Sequence, residues 1–227
     1  MDYPGIELEN FDKAVIWRKY IYLLIKKYIS NNTLEVGAGI GSFTKNYQKK
    51  IKSVTLSETD KSNFNLLLEK FKNKNNIKII NSFTKKINEN FNTILYLNVL
   101  EHIEEDTEEI NQALKKLKTN GYLIILVPAH NELYSKFDKA IGHIKRYKTD
   151  FFKSLKLDNA EVVELYYLDC LGYFLYYLNK MFFKEETYPT KLKIFIWDKL
   201  FTPFSVILDK FSNYKFGKNV LCVIKKN

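Results

Sequence analysis

Leu34-Glu35-Val36-Gly37-Ala38-Gly39-Ile40-Gly41-Ser42-Phe43-Thr44 joins a short apolar strand to a predicted helix through three glycines spaced two apart. A dinucleotide loop follows G-x-G-x-x-G, its third glycine opening the helix where a pyrophosphate docks on free backbone N–H groups. Here the third glycine, Gly41, comes one residue early, and Ser42 stands where that pattern needs glycine. A walled-in diphosphate is therefore disfavoured. What remains is a tight turn whose backbone, free of Cβ atoms at three points, lies against a compact ligand, with Glu35 at the strand end to face an ammonium group. The competing reading is a turn that only packs helix on sheet.

The segments downstream repeat one rhythm. Lys52–Ser57 alternates like a strand and ends at Glu58-Thr59-Asp60, about twenty residues beyond the glycines, where an acid accepts hydrogen bonds from ribose hydroxyls. Asp60 reads as the cap of a helix in which Phe64, Leu67, Leu68 and Phe71 recur at i, i+3, i+4 and i+7. A third strand, Ile77–Ile80, runs into Asn81-Ser82-Phe83. A fourth, Thr93–Leu97, leads into Asn98-Val99-Leu100-Glu101-His102-Ile103. The next helix has Glu104, Glu105 and Asp106 in its first turn and Lys115, Lys116 and Lys118 at its end, matching the macrodipole. A fifth strand, Tyr122–Val127, stops at Pro128. Strands alternating with helices predict a parallel sheet covered on both faces.

The E-x-G-x-G-x-G turn from Glu35 to Gly41 resembles motif I of the class I S-adenosylmethionine-dependent methyltransferases, and Asn98–Ile103 resembles motif IV of their small-molecule branch. The resemblance implies a Rossmann-like, doubly wound, seven-stranded, mostly parallel sheet, with Ala160–Tyr167 as sixth strand and Asn219–Ile224 as seventh. It implies a single domain over 1–227: an N-terminal helix (1–30) that closes over the cofactor, a cofactor-binding core (31–170), a helical insertion on the substrate side (171–217) and a final strand (218–227). It implies S-adenosyl-L-methionine as cofactor, held by Glu35, Gly37, Ala38, Gly39, Gly41, Glu58, Thr59, Ser82, Phe83, Asn98, Val99 and Leu100, with Glu58 on the ribose. The family usually places an acid against the adenine amino group after strand three. This chain departs from it, leaving Ser82 to accept a hydrogen bond and Phe83 to stack on the purine.

The loop after strand five, Pro128-Ala129-His130-Asn131-Glu132-Leu133-Tyr134-Ser135-Lys136-Phe137-Asp138 and then Gly142-His143-Ile144-Lys145-Arg146-Tyr147, is long and dense in polar groups, as functional loops are. Its P-A-H…L-x-S-x-x-D…G-H-x-x-R-Y pattern resembles a bacterial branch of these enzymes associated with sugar, polysaccharide or lipid-linked saccharide modification. Methyl transfer to a hydroxyl requires a proton to leave as the C–O bond forms, and a neutral imidazole suits that task. His143 is the first candidate base and His130 the second; each is otherwise a loop imidazole bonded to a carbonyl or paired with Asp138. His102 reads as a bridge between strand and helix. Arg146, Tyr147 and Tyr134 are the candidate contacts to the acceptor. No metal is expected.

Composition limits the partners. The chain has 227 residues, 46% of them hydrophobic, enough for one sizeable core. Its formal charge of +10 raises an RNA methyltransferase as the alternative, yet only Arg18 and Arg146 are arginines and the lysines are scattered. The amine clamp of base-modifying relatives, Asn/Asp-Pro-Pro-aromatic after strand four, is absent, and neither cysteine lies where a ring-attacking nucleophile must stand. Nucleic acid is thus disfavoured against a small-molecule or saccharide acceptor. Cys170 and Cys222 lack zinc or disulfide spacing and read as core thiols. No uncharged run spans a bilayer and no secretory signal is evident, so the expected location is cytoplasmic. The aromatic insertion, with Tyr173, Phe174, Tyr176, Tyr177, Phe182, Phe183, Phe195, Trp197, Phe201 and Phe204, shapes a substrate pocket or, in a non-catalytic or membrane-docking relative, contacts the inner face of the membrane.

Overall fold

A computed structural model describes residues 6–182 and 187–227. Phe183 lies outside the described residues, as does the side chain of Phe182. Seven strands, β1 (Asn32–Val36), β2 (Ser53–Ser57), β3 (Ile77–Ile80), β4 (Phe91–Leu97), β5 (Leu117–Pro128), β6 (Ala160–Leu168) and β7 (Asn219–Lys226), form one sheet in the order β3-β2-β1-β4-β5-β7-β6. β7 runs antiparallel to both neighbours, while the pairings from β3 to β5 are parallel. The strand order reverses between β1 and β4, and at such a switch point the loops part and leave a crevice.

The continuous apolar runs follow from burial on both faces. In β5, Leu123, Ile125 and Val127 join Ile94, Tyr96 and Cys222 on one side, while Ile124 and Leu126 join Leu56, Leu95 and Val223 on the other. Helix α4 (Asp106–Lys115) covers the first side through Ile110, Ala113 and Leu114. Helices α2 (Val15–Ile25) and α3 (Lys61–Phe71) cover the second through Trp17, Ile21, Ile25, Leu67 and Phe71, preceded by α1 (Ile6–Phe11). Asp60 caps α3 by accepting from the Asn63 amide at 2.9 Å, as its position predicts.

Two expectations need correction. The helix predicted after the glycine turn is replaced by two short 3-10 turns, Thr44–Asn46 and Gln48–Lys50. Thr44 and Tyr47 turn their hydroxyls inward onto Glu35 at 2.7 and 2.5 Å, which ties the segment to β1 at a spacing no regular α-helix is needed to hold. Cys222 is a core thiol, but Cys170 is only half-buried at the first turn of α7 (Cys170–Phe182).

The insertion between β6 and β7 consists of α7, α8 (Lys191–Ile196), a π-helical turn (Trp197–Phe201) and α9 (Thr202–Phe211). Three fully buried aspartates hold it. Asp198 accepts from the Ile16 and Trp17 amides at the start of α2, and Asp209 accepts from the Asp169 and Cys170 amides at the start of α7 and from the Tyr20 hydroxyl. Asp169 takes the Gly172 amide, the Ser205 hydroxyl and the Trp197 indole N–H. Each carboxylate satisfies donors that a helix start leaves open.

Candidate active site

A cavity of about 850 Å³ opens over the carboxyl ends of β1, β2, β4 and β5. Gly37, Ala38 and Gly39 floor it after β1, Glu58 and Thr59 after β2, Asn98 and Val99 after β4, and Pro128 at the end of β5. Gly39 has φ +54, and a Cβ there would stand 3.3 Å from Leu8 of α1, which lies over the turn as a cover. At Gly37, with φ +60, a Cβ would meet Val99 at 2.7 Å, so the β1 and β4 turns approach closely only because residue 37 is glycine. Asn98 has φ +57, a conformation asparagine tolerates better than most residues.

The two acids are buried at the floor. Glu35 is 3% exposed, and burial pushes its carboxyl up to about 7 against the lowering effect of the Tyr47 and Thr44 hydroxyls. Glu58 is raised by burial too, opposed by hydrogen bonds from the Asp60 and Gly39 amides at 2.9 and 2.7 Å. Both line the cavity.

At the other end stands the loop after β5. His143 lines the cavity with Nδ1 2.7 Å from Asp138 Oδ1, and Arg146 grips the same carboxylate through Nε at 3.0 Å and a terminal nitrogen at 2.9 Å. Burial pushes Asp138 up, but His143 and Arg146 outweigh it and hold the carboxyl well below its usual range. The Arg146 guanidinium also lies over the Tyr176 ring, 5.0 Å from its centroid. On the far side of His143, Nε2 is 3.6 Å from Glu101 Oε1. Glu101 is fully buried, neither of its oxygens accepts a hydrogen bond, and burial pushes it up to about 7. His102 packs edge-on against His143 with centroids 4.8 Å apart, and its Nδ1 is 3.2 Å from the Gly142 carbonyl. It thereby contacts the loop, and burial lowers its ring to about 4.

Several candidates stand away from the cavity. Gly41 packs on Phe71, which a Cβ would approach to 2.5 Å, and Leu100 belongs to the core. Ser82 turns its hydroxyl to the Phe83 carbonyl, and Phe83 is 58% exposed outside the cavity wall. The Tyr147 hydroxyl donates to Asp106 at 2.9 Å within the core, and Tyr134 donates to the His143 carbonyl at 2.6 Å as a brace. His130 is stacked on Tyr167 with centroids 4.9 Å apart and does not line the cavity, so of the two candidate bases only His143 faces it. Tyr176, Trp197 and Phe201 of the aromatic insertion line the cavity as expected, whereas the sequence did not single out Asp12, Arg18 and Lys180. They arrive from the N-terminal helices and the insertion, elements whose docking depends on tertiary contacts.

A family described as "Methyltransferase domain" matches residues 13–159, more than half of the chain. The chain belongs to that family. Solved structures with the same fold include the N-methyltransferase NodS from Bradyrhizobium japonicum WM9 in complex with S-adenosyl-L-homocysteine, at 13% identity and TM-score 0.58, over 100% of this methyltransferase and 89% of that chain. Coclaurine N-methyltransferase, bound to N-methylheliamine and S-adenosyl-L-homocysteine, matches at 14% identity and TM-score 0.62, over 94% of this methyltransferase and 72% of that chain. The [4+2]-cyclase SpnF matches at 12% and 0.63, over 92% and 80%, so the fold alone does not fix the chemistry. No curated protein sequence matches significantly. Among the described residues, no helix is long and apolar enough to cross a membrane.

Proposed function

We propose that this methyltransferase moves the methyl group of S-adenosyl-L-methionine to a hydroxyl, or an amine, of a small-molecule, saccharide or lipid-linked acceptor. The observation that carries this reading is a single cavity joining the Gly37–Gly39 floor and its two acids to the His143–Asp138–Arg146 cluster. A sulfonium nucleoside fits the first part: Glu35 meets the ammonium, Glu58 the ribose, and Thr59, Asn98 and Val99 border the nucleoside. The acceptor enters beside His143, Arg146 and Tyr176.

Methyl transfer is an in-line displacement, and alignment of acceptor oxygen, methyl carbon and sulfur supplies most of the roughly 7–11 kcal/mol available from proximity. The acceptor oxygen forms a bond to the methyl carbon, the carbon–sulfur pair stays on sulfur, and S-adenosyl-L-homocysteine leaves. The proton of a hydroxyl acceptor passes to a water molecule beside His143 and Glu101 as the bond to carbon forms.

The test is transfer of tritiated methyl to pools of saccharides, lipid-linked saccharides, small alcohols and amines, with RNA as control. A saccharide or alcohol product is expected, with His143→Ala lowering turnover by ~10²–10⁴ while S-adenosyl-L-homocysteine affinity stays nearly unchanged. Labelling of RNA alone, or full turnover in the variant, contradicts the reading.

Membrane docking is favoured by one further observation. Leu192, Phe195, Leu200, Phe204 and Ile207 are each more than half exposed on α8, the π-helical turn and α9, and Phe211 is 83% exposed, with Lys191, Lys199 and Lys210 among them. Apolar side chains flanked by lysines suit the surface of an anionic bilayer, where a lipid-linked acceptor would be found.

A further inference from the structure

Glu101, His102 and His143 each offer one ligand atom, and the three atoms lie within 4.8 Å of one another beside the cavity. We propose that these three residues bind a divalent transition-metal cation that coordinates the acceptor hydroxyl. The inference deepens the methyltransferase reading and rests on it, and it revises the expectation that no metal takes part.

The unpartnered carboxyl group of Glu101 carries the case. Buried carboxylates are paired, hydrogen-bonded or bound to metal, because an unsatisfied one loses its hydration without return. Glu101 has no donor on either oxygen and points Oε1 at His143 Nε2 across 3.6 Å, too far for a hydrogen bond. Two ligand atoms each about 2.1 Å from one metal ion are separated by roughly 3.4–3.6 Å in tetrahedral to trigonal geometry, the separation of Glu101 Oε1 from His143 Nε2, while the three atoms together span up to 4.8 Å, so binding an ion draws the set inward.

The histidines are oriented for the same task. A neutral imidazole that donates from Nδ1 keeps its lone pair on Nε2. His143 has Nδ1 against Asp138, and Asp138 is in turn fixed by Arg146; His102 has Nδ1 against the Gly142 carbonyl. Carboxylate or carbonyl partners on the remote ring nitrogen are what orient metal-binding histidines. Two imidazoles and one carboxylate favour a first-row transition metal over Mg²⁺, and three protein ligands leave positions for solvent or a substrate oxygen. Because His102 and His143 line the cavity, those positions open towards the acceptor. A coordinated hydroxyl gives up its proton to water more readily, and its oxygen lone pair then forms the bond to the methyl carbon as the carbon–sulfur bond breaks.

The full chain, stripped with chelator, is titrated with Co²⁺ and followed by visible absorption, and S-adenosyl-L-homocysteine binding is measured by calorimetry on the same samples. Expected are one Co²⁺ per wild-type chain with the d–d bands of a nitrogen- and oxygen-ligated ion, and binding weakened at least about 100-fold in Glu101→Gln and His143→Ala. No stoichiometric uptake by the wild type, or uptake unchanged in both variants, overturns the site. Failure of the methyltransferase reading shows separately, as absence of S-adenosyl-L-homocysteine binding in the wild type.

Discussion

At the scale of single residues, Glu35 is the most informative group. In an unfolded chain it titrates near 4.5, and in the folded protein at about 7, because burial outweighs its two hydroxyl partners. Folding therefore takes up a proton between these values. The contribution to stability is fully present below about 4.5, is lost as pH rises through 7, and changes no further above that. Glu35→Gln keeps an acceptor for Thr44 and Tyr47 but has no proton to lose, so denaturant unfolding from pH 4.5 to 8 is expected to show wild-type stability falling relative to the variant. Parallel pH profiles contradict this assignment. A cofactor ammonium beside Glu35 favours the carboxylate, so saturation with the cofactor is expected to flatten the wild-type slope. Positions set by chain-neighbour chemistry were legible in advance: Gly37, Gly39 and Glu58 at the cavity, and the Asp60 cap. Gly41, Leu100 and Tyr147 were not, since a side chain's direction is fixed by what packs on it, here Phe71, the sheet core and Asp106.

At the scale of elements, six strands were read to within about two residues because each alternates or runs apolar over a short, bounded stretch, whereas β5 begins at Leu117, five residues before its expected start at Tyr122 and where the preceding helix was expected to run on. The 3-10 turns after Gly41 escaped, because the ties that shape them come from Glu35, nine and twelve residues away. So did the docking of the insertion, which depends on Asp169, Asp198 and Asp209, charged residues that composition alone assigns to the surface. Asp209→Ala leaves the Asp169 and Cys170 amides and the Tyr20 hydroxyl without their acceptor, and a loss of about 3 kcal/mol is expected in denaturant unfolding. A loss below about 1 kcal/mol shows that water or a neighbour replaces the carboxylate. The π-helical turn bearing Asp198 meets the start of α2, so Asp198→Asn is expected to loosen the α1–α2 cover, read as faster amide exchange at Ile16 and Trp17.

At the scale of the whole molecule, the sheet order and the cavity at its switch point follow from the alternation of elements, whereas the exposed apolar face of α8 and α9 becomes visible only after folding. Phe204→Asp with Phe211→Asp is expected to abolish co-sedimentation with vesicles containing anionic lipid while leaving the fold intact; equal sedimentation of wild type and variant removes the membrane face. The scattered lysines place net charge +10 on the surface, which strengthens attraction to such vesicles at low salt. The central proposal is that the cavity over β1, β2 and β4 holds a sulfonium nucleoside, and calorimetric titration with S-adenosyl-L-homocysteine tests it most directly. One molecule is predicted to bind per wild-type chain and none to Gly39→Arg, whose side chain fills the floor beneath Leu8. No binding by the wild type, or equal binding by the folded variant, contradicts the account.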